Sequence, residues 1–279
     1  MANKSNKNSN QSSQKMPVPL ASLPAVLLPW YDREKRSLPW RDIVTPYRTW
    51  VSEIMLQQTR VQAVLPYFER FMSAAPDVPA LAELAEDRLL SLWQGLGYYS
   101  RARSLQRSAR VMVDQYGGCL PDTYSDLIQL PGIGDYTAGA ILSIAFNKAV
   151  PAVDGNVLRI AARLTACGDN VLDPRTRQHV RDALAAVMPT DRPGDFNQAM
   201  MDLGAAVCLP KNPNCESCPA ASLCAGASVP AAGAGKKSRQ AGKGPDGLSA
   251  DHPRWPHSPA PPPGNGPALR PVGVSQHRG

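Results

Sequence analysis

Apolar residues recur between positions 20 and 224 at three- and four-residue steps, interrupted by short Gly, Pro and Asp punctuation. No stretch sustains strict alternation of apolar and polar residues, so the period is helical and the expected class is all-α. Thr45-Pro46 reads as a helix start, with a hydroxyl at the N-cap and proline at the first helical position. The helix that follows carries Trp50, Ile54 and Met55 at core spacing. Residues 86–93 predict a short helix ending at Gly95-Leu96-Gly97, and 99–115 a longer one. Residues 122–129 run as a helix into Leu130-Pro131-Gly132-Ile133-Gly134, after which 136–146 is helical again. Three more helices are expected over 156–165, 174–188 and 196–207.

The two ends have another character. Residues 1–18 are rich in Asn, Ser, Gln and Lys and contain no apolar core of a secretory signal. Residues 225–279 hold ten prolines and few large aliphatic side chains. Neither end can offset its ordering entropy by burial, so a disordered leader and a disordered tail are expected around one helical domain at 19–224. No run approaches the ~18 apolar residues of a membrane helix. The net charge of +7 is misleading, because the two ends together carry +8 and leave the helical part at −1. Bulk charge therefore makes no case for a nucleic-acid partner; local patches must make it.

Four of the six cysteines, Cys208, Cys215, Cys218 and Cys224, fall within seventeen residues. Pro210, Pro213 and Pro219 break any continuous helix there, so the backbone wraps around whatever the sulfurs bind. Four clustered thiolates suit a tetrahedral zinc ion or the corners of an iron–sulfur cluster, although intervals of six, two and five fit the paired zinc pattern poorly. Lone Cys119 and Cys167 beside this group point to a reducing compartment, hence a cytoplasmic, nucleoid-associated location.

The Leu130–Gly134 stretch joins two helices through a turn that needs glycine, and would aim the amides at 132–135 outward at a helix N-terminus as an anion site. Ahead of Val153-Asp154-Gly155-Asn156 and the cysteine loop, it resembles the helix-hairpin-helix signature of base-excision DNA glycosylases. Leu38-Pro39-Trp40-Arg41, residues 46–59, Gly95-Leu96-Gly97-Tyr98-Tyr99 and 196–204 are similar to the MutY-type adenine glycosylases. The resemblance spans about residues 20–224. It implies a two-lobed helical domain, a 4Fe-4S cluster on the four cysteines, and double-stranded DNA with A:8-oxoG or A:G mispairs as partner. A monomer is expected.

The resemblance also assigns roles. Glu53 would protonate N7 of a flipped-out adenine. Its helical neighbours Trp50, Leu56 and Gln57 are largely apolar, and such desolvation lets a carboxyl keep its proton near neutrality. Asp154, expected near a helix N-cap, would stabilise the oxocarbenium ion, with Asn156 and Tyr136 around it. Trp40, Arg41, Leu56 and Gln198 would line the adenine pocket, Gln57 and Gln58 would bind the substrate with them, and Tyr98 would wedge into the duplex. Gly132 and Gly134, with Arg101 and Arg103 from an arginine-rich helix, would meet DNA phosphates. Tyr136 stands where strand-cleaving relatives carry a Schiff-base lysine, which implies glycosylase activity without strand cleavage.

Asp135 departs from the basic residue common after the hairpin glycines, and predicts a weaker phosphate contact. Leu158 replaces a lysine of some relatives. Full-length members continue into a MutT-like β-rich domain, of which 225–279 shows no trace. Two other readings stay open: a thymine glycosylase for G:T mismatches, and a catalytically weak iron–sulfur protein that binds DNA structurally.

Overall fold

The computed structural model describes residues 18–228, and both expected disordered ends fall almost wholly outside them. In chain order the helices are α1 (Val18–Ala21), α2 (Leu23–Glu34), α3 (Pro39–Asp42), α4 (Pro46–Leu56), α5 (Val61–Ala74), α6 (Val78–Glu83) and α7 (Glu86–Trp93). They continue with α8 (Ser100–Tyr116), α9 (Tyr124–Leu127), α10 (Asp135–Phe146), α11 (Gly155–Thr165), α12 (Pro174–Ala185) and α13 (Pro193–Asp202). No strand occurs among the described residues, so the fold is all-α. None of their helices is long and apolar enough to cross a membrane.

Local chemistry sets most boundaries. Thr45 caps α4 by accepting from the Arg48 amide at 3.1 Å, with Pro46 in the first turn. Asp77 caps α6, Thr123 caps α9, Asp154 caps α11 and Asp173 caps α12 in the same manner. Helices α8, α10 and α11 end on left-handed residues, Gly117, Asn147 and Ala166. The helix expected over 122–129 shrinks to four residues, because the cap falls at Thr123 and the hairpin turn follows at once. The helix expected over 196–207 starts earlier, at Pro193, and its last turn (Leu203–Val207) is π-wound. Arg159 explains the widening, since its guanidinium takes the Gly204 carbonyl at 2.9 Å and the Cys208 carbonyl at 3.0 Å.

Two hydrophobic cores make two lobes. One is continuous in sequence and includes Trp50, Phe68, Phe71, Leu81, Trp93 and Leu105. The other joins the two ends of the described chain, packing Leu20, Leu27 and Tyr31 against Ile160, Val180 and Phe196. Helix α10 bridges them, resting on α4 on one side and α13 on the other. The functional residues lie along that seam.

Candidate active site

A cavity of about 190 Å³ opens between the lobes. It is smaller than the ~300–1,000 Å³ of drug-sized pockets, a scale that suits one heterocycle. Glu53, Tyr136, Asp154 and Asn156 all line it, together with Trp40, Arg41, Leu56 and Gln198. Helix α4 supplies Glu53 from the first lobe, α10 supplies Tyr136, and α11 supplies Asp154 and Asn156 from the second.

Glu53 is 6% exposed, and its carboxyl pKa is pushed up to about 7. Burial is the main cause; the negative charge of Asp154 adds to it, while Tyr136 and Arg41 act in the other direction. The Tyr136 phenol is held well above its ordinary value by burial and by its two carboxylate neighbours, so it stays neutral as a donor. Its hydroxyl lies against Glu53 and also points at Met201 Sδ, 3.7 Å away.

Asp154 has a different setting. One oxygen accepts from the Val157 amide at 2.8 Å and the other from Asn156 Nδ2 at 2.8 Å. The carboxylate thus caps α11 and sits at its positive end. Gly204 packs directly on Asn156: a Cβ there would lie 2.8 Å from the Asn156 Cβ.

Two residues that sequence reasoning did not single out support the walls from behind. Asp202, 5% exposed, receives Arg41 through two hydrogen bonds of 2.7 and 3.1 Å and also receives Arg36. Arg41 in turn lies 5.7 Å above the Tyr31 ring. Asn197 accepts from the Ala152 amide at 3.1 Å and donates to Ser143 Oγ at 2.7 Å and the Val150 carbonyl at 2.9 Å. It pins the segment leading to Asp154 onto α10. Both residues stood inside the 196–204 stretch, which was the only signal for them.

Gln57, Gln58 and Tyr98 lie outside the cavity. Gln57 lines a neighbouring groove with Ile54, Ser100, Arg101, Ser104 and Gly132. Gln58 and Tyr98 are exposed and left-handed, at φ 58° and 49°. Gly132 makes the hairpin turn at φ 83°, and a Cβ there would come within 3.0 Å of Ser104 Cβ. Gly134 is the N-cap of α10.

The arginine-rich face of α8 needs correction. Arg101 is turned inward, with its guanidinium on the carbonyls of Ile54, Met55, Gln57, Leu96 and Gly97. Its hydrogen-bonding capacity at both terminal nitrogens is spent inside the protein, so it does not face a phosphate. Arg103 is exposed but paired with Glu86 at 2.8 Å. The negative charge at Asp135 is met by Arg181 of α12 at 2.6 Å and by the Tyr124 hydroxyl at 2.8 Å. The hairpin therefore carries less net repulsion than its sequence alone implied.

The cysteine loop lies at the far end of α11. Arg163 donates to the carbonyls of Leu209 (2.7 Å) and Pro210 (3.2 Å) and approaches Cys208 Sγ at 3.4 Å. A short 3₁₀ turn, Ala225–Ser228, follows the last cysteine and sets Gly226 against the Arg163 carbonyl. Cys208, Cys218 and Cys224 pack on the second core. The Cys218 thiol is pushed up by burial and by the charges of Cys208, Cys224 and Cys215 nearby. Among the described residues no three His, Cys, Asp or Glu side chains close to single-ion coordination.

Residues 51–187 match the family of HhH-GPD superfamily base excision DNA repair proteins. The chain belongs to that superfamily, and within it the similarity falls on the MutY-type branch. The adenine DNA glycosylase of Mus musculus is 47% identical over 207 residues, covering 71% of this chain and 40% of the mouse protein. That of Buchnera aphidicola (Acyrthosiphon pisum) is 41% identical over 200 residues, covering 71% of this chain and 57% of its own length. The chain thus spans about half the length of these relatives or less. Among solved structures, a thermostable thymine-DNA glycosylase superposes with a TM-score of 0.69 at 26% identity, covering 75% of this chain and 96% of the other. An endonuclease III–DNA complex gives 0.62 at 23% identity, covering 74% and 95%, which establishes the shared fold.

Proposed function

We propose that this chain removes adenine mispaired with 8-oxoguanine or guanine in double-stranded DNA, by hydrolysis of the N-glycosidic bond and without strand cleavage. The observation that carries this reading is Glu53: a buried carboxyl, half-protonated near pH 7, facing Asp154 across a cavity of single-base size.

In the proposed reaction the adenine swings into the cavity between Trp40, Leu56 and Gln198. Glu53 donates its proton to N7, so the base departs neutral; general acid catalysis of this kind contributes ~10²–10⁴-fold. The sugar is left as an oxocarbenium ion, and Asp154 stabilises that positive charge. Asn156 fixes the Asp154 oxygen and the α11 amide fixes the other, so the carboxylate needs no reorganisation when the charge develops. Water then adds at C1′, giving up a proton to the carboxylate left on Glu53, and yields an abasic site with the acid restored. Two carboxyl groups with divided protonation duties at one glycosidic bond is also the logic of sugar hydrolases.

Tyr136 has no amine and cannot form a Schiff base. Lys148 lies beyond the C-terminal end of α10 and pairs with Asp122 at 2.8 Å. The hairpin at Gly132–Gly134 would hold a phosphate on backbone amides, positioning the duplex without reading sequence. Four cysteines in one proline-interrupted loop, three of them packed on the second core, supply an all-thiolate donor set that fits a 4Fe-4S cluster held by Cys208, Cys215, Cys218 and Cys224. When bound, that group would cross-link the loop and brace α11; every proton in the scheme above is moved by other residues.

The test is a single-turnover assay on 8-oxoG:A, G:A and G:T duplexes, with products resolved before and after alkali. Adenine release from the first two, with strands cut only by alkali, is the expected result. Thymine release from G:T instead would replace adenine by thymine as the substrate, an activity named for the structural relative at 26% identity.

A further inference from the structure

We propose that Arg101 is a positioning residue that holds Gln58 and Tyr98 side by side as a two-pronged wedge on the DNA-facing side of the cavity. The proposal rests on the reading of the chain as a base-flipping enzyme, and extends it to a residue that never touches the base.

The geometry is that of one guanidinium serving two loops. Helix α4 ends at Leu56, and its last carbonyls have no helical partner. One terminal nitrogen of Arg101 takes three of the carbonyls there: Ile54 at 3.0 Å, Met55 at 2.9 Å and Gln57 at 2.5 Å. The other takes Thr59 Oγ1, Leu96 O and Gly97 O, each at 3.3 Å. Gln58 is flanked by two of these contacts, and Tyr98 directly follows the last of them. The same cation lies 5.6 Å from the Trp93 ring below and 5.4 Å from the Tyr98 ring above.

Both presented residues are left-handed without being glycine. Such backbone persists only where the surroundings over-determine it, and Arg101 holds the carbonyl just before each of them, Gln57 O and Gly97 O, together with the Thr59 hydroxyl that follows Gln58. Tyr98 is 60% exposed, so its ring is not kept in place by burial. Gln57, the neighbour of Gln58, shares a groove with Arg101 and hairpin Gly132, so the end of α4 and the hairpin meet on one side. Glu53 lies just over one helical turn back from Gln57 along α4, so that side adjoins the cavity.

The experiment compares Arg101→Met, Arg101→Lys, the double variant Gln58→Ala/Tyr98→Ala, and the triple variant of that pair with Arg101→Met. Each is measured for single-turnover adenine excision from a G:A duplex and from a duplex in which the same adenine is already bulged out. Fluorescence of 2-aminopurine placed beside the mispair reports unstacking on binding, and circular dichroism with thermal melting selects folded protein. Arg101→Met should lower excision from the mispair ~10–100-fold, on the scale of the unstacking cost, and abolish the fluorescence rise. Excision from the bulge should change less than ~3-fold, and the triple variant should match the double one. Arg101→Lys, one donor group in place of a fork, should fall between. Equal losses on both substrates, or additive losses in the triple variant, would overturn the proposal. So would an unchanged fluorescence rise with a shallower salt dependence, which marks a phosphate contact. If the parent protein released no base from either duplex, the proposed reaction would fail. The fluorescence arm would still decide whether Arg101 sets the wedge.

Discussion

The α4 wall and the α11 rim of one cavity treat a carboxyl group in opposite ways. On α4, Glu53 emerges from a helix whose neighbours are buried on almost every side, and loss of water lifts its pKa to about 7. On α11, Asp154 sits at a helix N-terminus with a donor on each oxygen. The same functional group is stripped of water and able to hold a proton on one wall, and clamped by two hydrogen-bond donors on the other. Neither lobe contains both environments, which is why the reaction proposed for this cavity needs the seam between them.

Removing the proton donor is the harshest way to break this contrast. Glu53→Gln keeps the shape and loses the acid, so excision should fall ~10²–10⁴-fold while mismatch binding persists. The same change should raise stability under mild alkali. A folded-state pKa of about 7 against an ordinary 4.5 means the native state favours the protonated form. The resulting penalty is absent below pH 4.5, grows as pH rises, and is full above 7. At pH 8 and beyond, Glu53→Gln should therefore melt higher, by on the order of 3 kcal/mol in unfolding free energy, and the gain should vanish by about pH 4. Thermal melts at the two pH values check this.

Asp154→Asn attacks the other wall and should cost ~10²–10³-fold in excision by removing charge stabilisation of the cation. Asparagine caps helices about as well as aspartate, so its melting temperature should stay close to the parent's. A large stability loss would make Asp154 chiefly a structural cap. Next in size, Asp202→Asn should lower excision ~10-fold by loosening Arg41, and lower the melting temperature because two cations lose their carboxylate. Smallest of all on chemistry, Cys208→Ser should reduce yield and DNA affinity while leaving the single-turnover rate of saturated protein within ~3-fold. An iron count near four per chain in the parent, absent from that variant, tests the cluster assignment.

Much of this arrangement was legible in the sequence, and the exceptions share a cause. The helical class, the cap at Thr45 and the glycine turn at 132–134 follow from local patterns, and the sequence reading grouped eight of the residues that meet in the cavity. Arg101 stands in an arginine-rich helix whose sequence suggests a phosphate-facing surface, yet its guanidinium folds inward. Its partners lie 44–47 positions away on the end of α4, and no local pattern shows a guanidinium folding inward. Asp202 was missed for the same reason, since its pairing with Arg41 crosses 161 positions. The π-wound turn at Leu203–Val207 is dictated by Arg159 on another helix, so residues 203–207 contain no sign of it. Nor does any local pattern show that the second lobe closes residues 20–31 onto 157–207.

The central claim is that Glu53 acts as a buried acid with a pKa near 7. The most direct measurement is the single-turnover rate of adenine excision from a saturated G:A duplex between pH 5 and 9, for the parent and for Asp154→Asn. The parent rate should be level below pH 7 and fall tenfold per unit well above it, as one proton is lost from the donor. In Asp154→Asn the remaining rate should bend at lower pH, because the charge that helps raise the Glu53 pKa has gone. A parent rate that stays flat across this range, or a bend that does not move in the variant, would contradict the account.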